Sequence, residues 1–120
     1  MKALSQFVLV SSLVLSQFSF ADTATTALQQ AVQNPARTEA NKVRDQYRHP
    51  VETLAFFGVT PQSTVVEISP GGGWYTEILA PLLQQQGKYY AAHQPKDAKS
   101  EYAQKSRADY LAKLAANPVY

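Results

Sequence analysis

Residues 64–83 read TVVEISPGGGWYTEILAPLL, from Thr64 to Leu83. The β-branched residues Thr64, Val65, Val66 and Ile68 enclose a single acid, Glu67, and predict a short buried strand. Ser69 and Pro70 lead into Gly71, Gly72 and Gly73, a turn open to backbone conformations that side chains resist. Beyond it Tyr75, Ile78, Leu79, Leu82 and Leu83 recur at the i, i+3, i+4, i+7, i+8 spacing of a helix laid on a sheet. Pro81 falls inside that stripe and removes a backbone hydrogen bond at a cost of about 3 kcal/mol, so a bend near Ala80 is expected. Strand, glycine turn and helix in this order open an α/β sheet. Such sheets bind ligands outside the carboxyl ends of their strands, where helix N-termini offer unpaired N–H groups.

Downstream, Gly87 stops the helix, and Lys88, Tyr89, Tyr90, Ala91, Ala92 and His93 predict a second strand. Asp97 is placed to cap a last helix from Ala98 to Ala116. Tyr102, Ala103, Tyr110, Leu111 and Leu114 line one side of it and Lys99, Lys105, Arg107 and Lys113 mostly the others, before Asn117-Pro118 ends it. Upstream, Gly58-Val59-Thr60-Pro61 turns the chain into the first strand. Pro50 is well placed as the first residue of a helix over Val51 to Phe57, with Gly58 as its stop; its Val51, Leu54, Phe56 and Phe57 should pack on the sheet. Two short helices precede it. One is capped by Thr25 or Thr26, carries Ala27, Leu28, Ala31 and Val32, and ends at Asn34-Pro35; the other runs from Thr38 to about Tyr47. Arg44, Asp45, Tyr47, Arg48 and His49 crowd the end of the second, and by themselves read as a solvated face with a local ion pair.

Residues 1–21 are set apart as a signal peptide. Lys2 supplies the positive start, Phe7 to Phe20 is largely apolar, and Ser19 and Ala21 place cleavage after Ala21. The run is shorter than the ~20 residues of a spanning helix and is diluted by Ser11, Ser12, Ser16 and Gln17, so no stable membrane span is expected after cleavage. The mature chain is then periplasmic or secreted, with a helical lead-in over residues 22–60 and a strand-helix-strand-helix unit over 61–120. A 45% hydrophobic and 17% charged composition is that of a globular protein, and a dispersed net charge of +2 implies no nucleic-acid partner. Cysteine is absent, which excludes disulfides, thiolate nucleophiles and cysteine-zinc sites. With only His49 and His93, no histidine-rich metal site is expected, and no two carboxylates are spaced as an acid and base pair.

Glu67-Ile68-Ser69-Pro70-Gly71-Gly72-Gly73 resembles the first motif of class I S-adenosylmethionine-dependent methyltransferases, an acid ending the first strand followed by a glycine-rich turn. Ser69 stands where that pattern usually has glycine. The longer run from Arg44-Asp45-Gln46-Tyr47-Arg48-His49-Pro50 through Glu52-Thr53-Leu54-Ala55-Phe56-Phe57-Gly58 to Leu83 is similar to a family of predicted bacterial methyltransferases that carry signal peptides. The resemblance implies a Rossmann-like methyltransferase sheet, of which this chain holds the first half behind short helices, and hence the amino-terminal part of a longer protein. It implies S-adenosyl-L-methionine as cofactor, with Glu67 orienting the methionine end and Ser69, Gly71, Gly72 and Gly73 offering close backbone. The second strand of such sheets normally presents an acid to the ribose; His93 and Gln94 occupy that place here, leaving Gln94 as the neutral candidate. Helices before the first strand fold over the cofactor in this class, so Tyr47, Arg48 and His49 would border the site, Arg48 at the cofactor's carboxylate and Tyr47 beside its sulfonium. Trp74 and Tyr75 would wall the site or pack the first helical turn. The resemblance designates no catalytic residue and no methyl acceptor.

Two rival ligands for the glycines fit less well. A dinucleotide fingerprint, G-x-G-x-x-G, finds Gly71 and Gly73 but meets Thr76 at its third position, and no phosphate-binding G-x-x-x-x-G-K-[ST] occurs. A bare structural turn is the remaining reading. Two functional classes follow: an exported methyltransferase, or an exported, non-enzymatic α/β binding or interaction module that has lost the cofactor. Export, Ser69 and His93 speak for the module, because the cofactor is made in the cytoplasm.

Overall fold

A computed structural model describes the backbone of residues 18–120 and the side chains from Thr23 onward. Most of the expected signal peptide, residues 1–17, lies outside the described residues. The chain is mixed α/β, with two strands and six helices among the described residues. Strand β1 (Thr64–Ile68) and strand β2 (Lys88–Ala92) pair in parallel, with Thr64 opposite Lys88 and Ile68 opposite Ala92, and helix α5 (Thr76–Leu83) crosses between them. All three elements fall where the sequence puts them, because each has its own period and its own punctuation. Pro81 sits in the last turn of α5, which closes two residues later at Leu83.

The strands alternate. Val65, Glu67, Tyr89 and Ala91 turn toward the covered side, and their neighbours are exposed. Val66 and Ile68 are 59% and 80% exposed, so the β-branched run that suggested burial on both faces is buried on one. On the covered side Ile78, Leu79, Leu82 and Leu83 of α5 meet Leu28 and Ala31 of α1 (Phe18–Val32), Leu54 of α4 (Pro50–Phe56) and Trp74. Burying each such aliphatic side chain stabilises the fold by about 1.5–3 kcal/mol. The expected caps Thr25 and Thr26 lie inside α1, which starts at Phe18; its core residues Leu28 and Ala31 nevertheless follow the expected cleavage point at Ala21.

Three other expectations are corrected. The helix expected from Thr38 to Tyr47 is two short ones, α2 (Glu39–Lys42) and α3 (Asp45–Arg48), split where Arg44 N–H reaches back only to the carbonyl of Asn41. His49, kept from the right-handed helical region by Pro50, links α3 to α4 in the left-handed conformation with φ 43°. Helix α4 packs chiefly against α1 rather than on the sheet. It is two turns long, so Pro50 and Leu54 reach the core while Phe56 and Phe57 stay exposed. The last helix, α6, spans Glu101–Ala116 behind Ser100, so Asp97 does not cap it. Ala103 and Tyr110 are its buried residues, Tyr110 at the hydroxyl of Thr76; Tyr102 and Leu111 are exposed.

Salt bridges hold the helices in place. Glu77 of α5 is fully buried, 2.5 Å from Lys113 of α6 and 3.9 Å from Arg37, and it accepts hydrogen bonds from the amide and hydroxyl of Thr38. Arg37 in turn grips Asp45 of α3 through two bonds of 2.6 and 2.8 Å.

Candidate functional site

The carboxyl end of β1 opens into a hollow of about 440 Å³ lined by residues 67–72, by Trp74 and Tyr75, and by Arg44 and Arg48. Its floor begins where the ladder ends. Ser69 N–H still bonds the carbonyl of Ala92, but the Ser69 backbone has turned into the left-handed region with φ 55°. This is where the resembled motif usually has glycine, and a non-glycine residue pays about 1–2 kcal/mol there. We expect Ser69→Gly to stabilise the protein by about 0.5–1 kcal/mol after the added freedom of the unfolded chain is counted. A urea unfolding midpoint that falls in the variant would refute this account of the turn.

The glycine turn is tied down from behind. Nδ1 of His93 accepts the Gln94 N–H at 2.7 Å, so Nε2 carries the ring hydrogen and donates to the carbonyl of Gly71 at 3.3 Å. Lys113 Nζ holds the Gly72 carbonyl at 2.8 Å, and Gly73 N–H closes the turn on Pro70 O at 2.9 Å. In a trans peptide N–H and C=O point in opposite directions, so Gly72 N–H faces away from His93. Neither Gly71 N–H nor Gly72 N–H has a hydrogen-bond partner among the described residues.

Glu67 supplies the hollow's one acid. Its carboxylate accepts a hydrogen bond from the Tyr89 hydroxyl and another from Thr76 Oγ1 at 3.4 Å, and Thr76 also meets the hydroxyls of Tyr89 and Tyr110 at 2.9 and 3.1 Å. Burial pushes the Glu67 carboxyl above its ordinary 4.5, opposed by the bonds from Tyr89 and Thr76 and by the charge of Arg48. Burial and the neighbouring carboxylate push the Tyr89 hydroxyl up in turn, so it remains the donor. On the opposite wall the Arg48 guanidinium lies 4.5 Å from the centre of the Trp74 ring and 6.0 Å from that of Tyr75, within cation–π range. Trp74 is fixed by a 2.9 Å bond from its indole N–H to the carbonyl of Asn41 and by an edge contact with Tyr75.

Of the residues singled out in the sequence, the hollow brings together Glu67, Ser69, Gly71, Gly72, Arg48, Trp74 and Tyr75. It does not include the other four. Gly73 is buried behind the turn, where an added Cβ would stand 3.2 Å from both Thr76 Oγ1 and the Tyr110 ring. Gln94 lies outside the hollow, its backbone engaged by His93 and by Arg107. Tyr47 is 77% exposed, and His49 serves as the left-handed link between helices. Arg44 lines the hollow although the sequence reads it only as part of a solvated cluster; its one-turn spacing from Arg48 is the signal that could have found it. Asp45, the expected partner of a local ion pair, is held by Arg37 instead.

No family model, no curated protein and no solved structure matches the chain. Among the described residues no helix is long and apolar enough to cross a membrane.

Proposed function

We propose that the protein is an exported S-adenosylmethionine-dependent methyltransferase whose methyl donor lies in the hollow at the end of β1, on what is the cofactor-binding part of a Rossmann-like sheet. The observation that carries this reading is the convergence of Glu67, the Gly71-Gly72 backbone and Arg48 on one hollow. The residues fit the cofactor. A Cβ added at Gly71 or Gly72 would meet nothing within 4 Å, so the cradle is open, and about 440 Å³ suits a ligand of this size.

When bound, the cofactor would supply a methyl carbon activated by a cationic sulfur, open to attack by the acceptor's lone pair with the thioether leaving on the carbon–sulfur electron pair. The protein's part is to hold the reactants. Arg48 would hold the carboxylate with its two-pronged donor face, and the Gly72 N–H would add a second donor. Glu67, kept in place by Tyr89 and Thr76, would orient the cationic methionine end. Positioning alone accounts for effective molarities of ~10⁵ to 10⁸ M in well-oriented reactions, so no protein base is demanded.

A second reading, a binding or interaction module without catalysis, draws on the end of β2. His93 is committed to the glycine turn, and no acid stands there for a ribose. Calorimetric titration of S-adenosylmethionine into the full-length protein separates the two. Gly72→Leu is the informative variant: Gly72 is not among the glycines with positive φ and has open space around it, so the side chain fills the cradle without disturbing the fold. We expect saturable binding by the parent protein and a loss of about 100-fold or more in the variant, equivalent to ~2.7 kcal/mol. No heat in the parent protein would decide for the module.

A further inference from the structure

Arg44 and Arg48 stand one helical turn apart and line the same hollow. Like charges at that spacing repel; Glu67 acts on Arg48 across the hollow, but no acid of the described residues stands within ion-pairing distance of either arginine. The neighbouring carboxylates are already engaged: Asp45 by Arg37 at 2.6 Å, Glu39 by Lys42 at 2.8 Å and Glu67 by Tyr89. Among the described residues neither arginine has an ion-pair partner; Arg48 is seated against Trp74, and the Arg44 side chain has no hydrogen-bond, ion-pair or ring partner. Charge bookkeeping then singles out Arg44. The donor brings one carboxylate and two cationic centres; Arg48 takes the first, Glu67 and the aromatic wall face the others, and one guanidinium is left uncompensated at the rim.

We propose that Arg44 receives an anionic group, a carboxylate or a phosphate, on the second ligand of this hollow, the small molecule that accepts the methyl group. The inference rests on the donor reading for the second ligand's role, while the anion receptor itself is tested separately. A guanidinium presents paired donors that match either anion.

Trp74 is the sole tryptophan of the chain and walls the hollow, so its intrinsic fluorescence reports occupancy without a label. The experiment titrates the full-length protein with inorganic phosphate and, separately, with acetate. Ionic strength is held constant with chloride, and S-adenosylhomocysteine is present or absent. A saturable change with phosphate alone assigns a phosphate-bearing acceptor, with acetate alone a carboxylate-bearing one, and with both an acceptor bound through either anion. In Arg44→Gln the apparent affinity should fall about tenfold or more, with far-UV circular dichroism unchanged because the side chain is exposed. A response that does not saturate, or one identical in Arg44→Gln, overturns the proposal. S-adenosylhomocysteine that binds while neither anion does leaves the donor reading standing and removes this one. An Arg44-dependent anion response without any binding of S-adenosylhomocysteine does the reverse.

Discussion

Replacing Glu77 by alanine should lower the free energy of unfolding by about 3–5 kcal/mol, the cost of leaving buried charges without their partner. The carboxylate is fully buried and gathers Lys113 at 2.5 Å, the amide of Thr38 at 3.1 Å and its hydroxyl at 3.0 Å. Arg37 is 2% exposed, its Nε has no hydrogen-bond partner, and the Glu77 carboxylate 3.9 Å away is what balances it on that side. Against a typical domain stability of about 5–15 kcal/mol the loss is large. The damage should reach the site as well, because Lys113 also holds the carbonyl of Gly72. Urea unfolding of Glu77→Ala, beside Glu77→Leu combined with Lys113→Met, separates charge from packing. The double variant removes two opposite charges together and should recover part of the loss. A single-variant cost below about 1 kcal/mol would mean that the cluster is not the brace between α5 and α6 described above.

Gly87→Ala should cost about 3 kcal/mol, the upper end for forcing an extra methyl into a filled site. A Cβ there would lie 2.6 Å from the carbonyl of Ser63, 2.7 Å from that of Pro61 and 2.8 Å from Leu83 Cδ2. Two of these atoms are backbone and cannot rotate away. The residue sits where α5 hands over to β2: its N–H bonds Leu83 O at 2.9 Å, and the next amide, Lys88 N–H, bonds Ser63 O at 3.0 Å to begin the parallel ladder. Relief of the clash must therefore part the two strands or lift the end of α5. An unfolding midpoint within error of the parent protein would show that the handover is looser than these distances state.

Gly87 also shows what a local reading misses. Its position after an amphipathic helix reads as a helix stop, yet α5 ends at Leu83, four residues earlier, and Gly87 does not take the positive φ of such a stop. Its closest neighbours, however, come from the lead-in to β1, more than twenty residues earlier, and helix punctuation says nothing about them. The same divide runs through the site. Glu67, Ser69, Gly71 and Gly72 are consecutive or nearly so, and a strand that runs into a glycine turn places them together whatever else surrounds them. Arg44 enters the hollow only because the start of α3 comes to line it beside the end of β1. Gly73 leaves it because Thr76 and Tyr110 close on it from behind.

The amino-acid sequence by itself determined β1, the left-handed turn, α5, β2 and the short helix from Pro50, since each depends on a periodicity of two or 3.6 residues or on a local φ constraint. The tertiary structure alone decided that Glu77 is buried rather than solvated, that α4 lies on α1, that one face of the sheet is open, and that Arg44 joins Arg48 at the hollow. These are contacts between segments distant in the chain. Their energies depend on which charge or surface arrives opposite, and no local pattern of residues encodes that arrival.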